Sequence, residues 1–159
     1  MCSNNGDMDA GDVCGPLDQQ QVSRREFRSL VFHLLYAIDA TEYHDSLQAI
    51  VDTFNRGFDL TIAPDGDIVH AAQAIVDQRA SLDEVFKPFL LNWRFERLGV
   101  CTKLILRLAF WELQQKKTPP TIVINEAVEL AKCFAEKDAY KFINGILDEA
   151  VKASEETKL

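Results

Sequence analysis

Between Ser23 and Val151, apolar side chains recur at three- and four-residue spacing, and no stretch of useful length alternates with period two. That spacing places an apolar stripe on each of a series of helices and limits the chain to an all-helical fold. The first stripe is Phe27, Leu30, Val31, Leu34, Leu35 and Ile38, with Ser23 and Glu26 spaced as a capping box that starts the helix. A shorter stripe of Leu47, Ile50, Val51 and Phe54 follows, and Gly57 is placed to end it in the left-handed conformation. Pro64-Asp65-Gly66-Asp67 is turn chemistry leading into a third helix through Ile68, Ala71, Ala72, Ile75 and Val76. Ser81 and Glu84 repeat the capping-box spacing ahead of Leu82, Val85, Phe86, Phe89 and Leu90, and Pro88 should bend or shorten that helix.

After Gly99, a fifth pattern runs through Leu104, Ile105, Leu108, Trp111 and Glu112 and fades at Lys116-Lys117. Thr118-Pro119-Pro120 breaks it, and proline suits the first turn of a sixth helix carrying Val123, Ala127, Leu130, Ala131 and Phe134. Asp138 is placed to cap a seventh, with Phe142, Ile143, Ile146, Leu147, Ala150 and Val151. The stripe passes through Gly145 unbroken, which predicts a close helix-packing point there. Seven helices with short connections predict a compact all-α bundle.

Residues 1–22 are rich in Asp, Gly, Asn and Gln and cannot bury enough apolar surface to offset their ordering entropy; they predict a disordered acidic tail ahead of a helical domain over 23–159. The tail contains four aspartates and no Lys or Arg, half of the net charge of -8. An acidic body repels polyanions, so nucleic-acid binding needs local cationic patches or a basic partner. No apolar run approaches the roughly 20 residues that span a bilayer, and the N-terminus lacks a secretory pattern, which predicts a cytoplasmic protein without membrane contact. Cys2, Cys14, Cys101 and Cys133 are widely and irregularly spaced, and His33, His44 and His70 add no ligand spacing, so the expectation is reduced thiols and no metal. Cys101 and Cys133 are expected as small core residues.

No glycine-rich phosphate loop, zinc-protease motif, nucleophile elbow or dinucleotide fingerprint is present, so neither an enzyme nor a cofactor is expected. Two cationic sets stand out instead. Arg24, Arg25 and Arg28 crowd the first turns of the first helix, where the helix dipole favours acids. Arg25, Arg28, Phe32 and Tyr36 share one stripe beside the apolar face, a pattern suited to phosphate contact and base stacking on single-stranded RNA. Equally, Phe32 and Tyr36 can widen the core while the arginines form ordinary surface. Lys132, Lys137 and Lys141 gather with Phe134 and Tyr140 around the turn between helices six and seven, as an RNA contact or as a solubilising rim.

Val123-Ile124-Asn125-Glu126-Ala127-Val128-Glu129-Leu130-Ala131-Lys132 closely resembles a stretch of the NusB transcription antitermination family, as does the run Lys141-Phe142-Ile143-Asn144-Gly145-Ile146-Leu147-Asp148. Leu106-Arg107-Leu108-Ala109 with Trp111-Glu112-Leu113, and Trp93 with Arg97-Leu98, are similar to its preceding elements. Arg24-Arg25 and Arg28, followed by Leu34-Leu35-Tyr36, resemble its arginine-rich opening helix. The resemblance covers about residues 23–152. It implies a seven-helix fold of two small bundles, and binding of the single-stranded boxA element of ribosomal-RNA leader transcripts. It also implies a heterodimer with the small-subunit ribosomal protein NusE, acting on elongating RNA polymerase. Such a partner is basic, which would answer the acidic body.

Glu26 stands where the family usually carries a further arginine, Thr102-Lys103 replaces a usual Glu-Arg pair, and the acidic tail is an addition. Three functions follow from these features. The first is an RNA-binding antitermination subunit. The second is a protein-interaction bundle that keeps the partner surface but binds RNA weakly. The third is an RNA-modifying enzyme, since this domain type occurs fused to ribosomal-RNA cytosine methyltransferases, but no residues remain for a catalytic α/β domain. Homodimer and monomer are both compatible with the sequence.

Overall fold

The computed structural model describes residues 22–58 and 61–157. Within them run α1 (Arg24–Ala40), α2 (Leu47–Gly57), α3 (Asp67–Asp77), α4 (Arg79–Phe86), α5 (Val100–Gln115), α6 (Pro120–Phe134) and α7 (Ala139–Glu156). Two 3₁₀ turns, Lys87–Phe89 and Phe95–Arg97, link α4 to α5, and no strand occurs among the described residues. α1, α2 and α3 pack on one another, while α4, α6 and α7 gather around α5. α1 and α3 also lie against α5, so the two groups share one core.

The central place of α5 follows from its sequence. Leu104 to Phe110 are buried without a break, and a helix that is apolar all round belongs inside a bundle. Its one charged core residue, Arg107, is answered by Asp83 of α4 through two hydrogen bonds of 2.7 and 2.8 Å. Arg107 also donates to the Tyr43 hydroxyl at 3.1 Å, and that hydroxyl donates to Asp39 at 2.9 Å. Burial works against the charge on Arg107, and the Asp83 carboxylate more than restores it, holding the guanidinium above its ordinary pKa. The network joins α1, the turn after it, α4 and α5.

Local signals set most helix ends. The Glu26 amide donates to Ser23 Oγ at 3.2 Å and the Ser23 amide to Glu26 Oε2 at 2.7 Å, so the capping box of α1 forms in full. α3 starts at Asp67 behind Gly66, α6 starts at Pro120 directly after Pro119, and α4 stops at Phe86 with Pro88 in the following 3₁₀ turn. Val22, expected in the tail, packs against the core, and residues 1–21 of that tail lie outside the described residues.

Five local expectations are corrected. Gly57 does not end α2 in the left-handed conformation; among the described residues no glycine has positive φ, and Phe58 leaves the helix extended. Ser81 and Glu84 form no capping box, because α4 has already started at Arg79 and Ser81 Oγ donates back to the Gln78 carbonyl at 2.9 Å. Asp138 does occupy the position before α7, but with left-handed φ of 66° and no side-chain cap. Gly145 is no packing point: a Cβ there would meet nothing within 4 Å. Cys133 is exposed rather than core, whereas Cys101 is partly buried and its thiol is pushed up by that burial.

Candidate nucleic-acid interface

The three arginines of α1 meet three different environments. Arg25 Nε and Nη2 donate to the Glu126 carboxylate of α6 at 3.2 and 3.1 Å, which raises the arginine's pKa while its side chain stays 68% exposed. Arg28 is only 4% exposed. Its Nε lies 2.9 Å from both Glu112 oxygens of α5, and its Nη1 donates to the Arg24 carbonyl at 3.4 Å. Arg24 is exposed, and its side chain has no hydrogen bond or ion pair among the described residues.

Beyond Arg25, α1 and α6 run the same way along the surface. Phe32, seven residues after Arg25, stacks on Phe134, eight residues after Glu126, with ring centroids 5.1 Å apart and planes 22° from parallel. The His33 ring meets Phe134 edge-on at 5.0 Å. Phe32 is 2% exposed, so the expectation that its own ring faces a ligand is not met; it supports Phe134, which is 40% exposed. Tyr36 follows at 49% exposure, 6.5 Å from Phe32.

Where α6 turns into α7, Lys132 and Lys141 place their ammonium groups 5.2 and 5.8 Å from the Tyr140 ring centroid, within cation–π range. Each also reaches an acid three residues earlier in the chain, Lys132 reaching Glu129 at 3.5 Å and Lys141 reaching Asp138 at 3.6 Å. Lys137 is exposed, with no ion pair or hydrogen bond among the described residues. The Arg25–Glu126 and Phe32–Phe134 contacts thus bring together α1 and α6, whose cations lie about a hundred residues apart in sequence. Cations spaced around exposed ring faces are what single-stranded nucleic-acid sites employ.

Sequence patterns gave no warning of Glu112 and Glu126. They meet their arginines across 84 and 101 residues, and an isolated glutamate on a helix carries no local mark of such pairing. Both lie inside the segments that carry the family resemblance. Among the described residues, no group of three or more His, Cys, Asp or Glu side chains is arranged to hold a metal ion.

The model of the NusB family matches residues 25–152, from the first turn of α1 to the last turns of α7. The transcription antitermination protein NusB of Staphylococcus haemolyticus is 39% identical over 127 residues, which cover 79% of this chain and 97% of that protein. Among solved structures, T. maritima NusB superposes with a TM-score of 0.70 at 27% identity, over 87% of this chain and 99% of that one. A chain in the crystal structure of a plectonemic RNA supercoil superposes with a TM-score of 0.63 at 28% identity, over 82% of this chain and 95% of its own length. Sequence and helix arrangement agree across the whole bundle, and the chain belongs to the NusB family.

Proposed function

We propose that the chain is a transcription antitermination subunit that binds boxA-type single-stranded RNA of ribosomal-RNA leader transcripts. It does so as a heterodimer with the basic ribosomal protein NusE, within the antitermination complex on RNA polymerase in the cytoplasm. The observation that carries this reading is the contact of α1 with α6, which sets exposed Arg25 and the exposed rings of Tyr36 and Phe134 close together, with Lys132 and Lys141 around Tyr140 at the end of α6. Phosphates would meet the cations and bases would stack on the two rings. Arg28 and Phe32 would act from beneath, by fixing the helix and the Phe134 ring. Relatives named as transcription antitermination proteins, and a structural neighbour from an RNA crystal structure, support the same role. Among the described residues no helix is long and apolar enough to cross a membrane.

A second reading has one observation in its favour. Glu112 and Glu126 already engage two of the three arginines, which fits an interaction bundle with weak RNA binding. Filter binding of boxA-like RNA, with and without NusE, separates the two. Retention that rises with the partner supports the first reading, and no retention under either condition supports the second.

A further inference from the structure

A cavity of about 490 Å³ opens beside the first turn of α1, against the start of α3 and the end of α5. It sits about 100° round α1 from Arg25, the rotation between adjacent helical residues, and Arg24 helps to line it. The half-buried rings of Phe27 and Trp111 line it, with Asp67, Glu112 and Lys117. We propose that this cavity receives one nucleotide unit of the bound single-stranded RNA, its base against Trp111 and Phe27 and its phosphate on Arg24 and Lys117. The inference rests on the RNA reading above and adds a subsite to it.

Four observations carry it. Arg24 and Lys117 are exposed, with no ion pair among the described residues, so the charge of both is available to a ligand in the cavity they line. Glu112, which also lines the cavity, has both oxygens against Arg28 Nε and is neutralised by it. Asp67 is then the one carboxylate lining the cavity without a cationic partner among the described residues. It repels phosphate but accepts N–H donors from a base edge, which orients the base toward α3 and the phosphate toward Arg24. The volume lies within the range of sites that enclose a small ligand, and two rings supply the stacking surface. Because Arg24 adjoins Arg25, the cavity continues the cationic face around the helix end instead of standing apart from it.

Trp111 makes the inference directly testable. The chain has two tryptophans, and the other, Trp93, lies against Phe142 with ring centroids 5.0 Å apart. In Trp93→Phe protein, Trp111 is the only tryptophan. A boxA-like single-stranded RNA titrated at low salt should quench its emission in step with filter retention. It should also protect Trp111 from acrylamide, as a base covering the ring would. Lys117→Ala and Arg24→Ala in the same background should each weaken binding at least threefold and lower the log–log salt slope by about 0.7, one single-strand phosphate contact. Retention on the filter with unchanged Trp111 emission and acrylamide access would overturn the subsite and leave the RNA reading standing. RNA that is not retained at any salt, with or without NusE, would overturn the reading and the subsite together.

Discussion

Arg24, Arg25 and Arg28 share one residue type and one helix end, yet substitution should separate them. Arg28 and Glu112 form a largely buried pair, with side chains 5% and 13% exposed. Removing one partner of such a pair strands the other, so Arg28→Ala should cost about 3 kcal/mol in urea unfolding. Arg24→Ala removes an unpaired cation from a positive helix end and should leave the unfolding midpoint unchanged or slightly raised. Glu26 carries the opposite lesson. Its hydrogen bonds with Ser23, the backbone one foremost, hold its carboxyl below the ordinary 4.5. A depressed carboxyl contributes its full stability above the unfolded-state pKa and loses it as pH falls through the folded one. The first turn of α1 should therefore fray on acidification below about pH 4.5, read as growing amide exchange at Phe27 and Arg28, and Glu26→Gln should remove that dependence. Glu26→Arg should tighten RNA binding through an added phosphate contact at the expense of the cap. Unchanged affinity at every salt concentration would show that this helix end does not face RNA.

At the scale of elements, the order and type of all seven helices were legible in the sequence, because one-sided stripes and proline breaks are local signals. What was not legible depended on distant partners. The α5 pattern stopped at Lys116-Lys117, where the helix does end after Gln115, but its stripe did not tell that Leu104 to Phe110 are buried on all sides, and only the packed bundle makes that helix central. Ser81 and Glu84 have capping-box spacing, but the chain passes from α3 to α4 through the single residue Gln78, so the helix is already under way at Ser81. The cations and rings of the candidate face were likewise visible, and so was the core reading that holds for Phe32 though not for Tyr36, whereas the pairing of Arg25 with Glu126 was not. Two tests belong to this scale. Asp83→Ala should cost about 3–5 kcal/mol, because it leaves Arg107 charged and buried between α4 and α5. Phe134→Ala, which removes an exposed ring where α6 meets α7, should weaken RNA binding by about 1–3 kcal/mol, the worth of one stacked base. Equal RNA affinity in that variant would show that Phe134 only shields Phe32.

For the whole molecule, charge governs when this face can act. The net charge is -8, and residues 1–21 carry four of the aspartates without a cation. Within the folded part, two of the α1 arginines are matched by glutamates and Lys132 and Lys141 by acids of their own, so the unmatched cations left near this face for RNA are Arg24, Lys117 and Lys137. Long-range repulsion from an acidic body should keep a polyanion away from so small a patch when the chain is alone. A basic partner beside the patch would reverse the local field and extend the track. The isolated chain is therefore expected to bind boxA-like RNA weakly, and NusE to strengthen binding at least tenfold, about 1.4 kcal/mol of coupling. Deleting residues 1–21, which keeps Val22 and the Ser23 cap, should improve the solitary affinity at low salt. The gain should vanish near 0.5 M salt, where screening confines charge effects to a few ångströms. Titration of RNA against full-length and truncated chain, each with and without partner, reads all four arms at once. Tight binding by the solitary full-length chain, indifferent to truncation, would sink this electrostatic account.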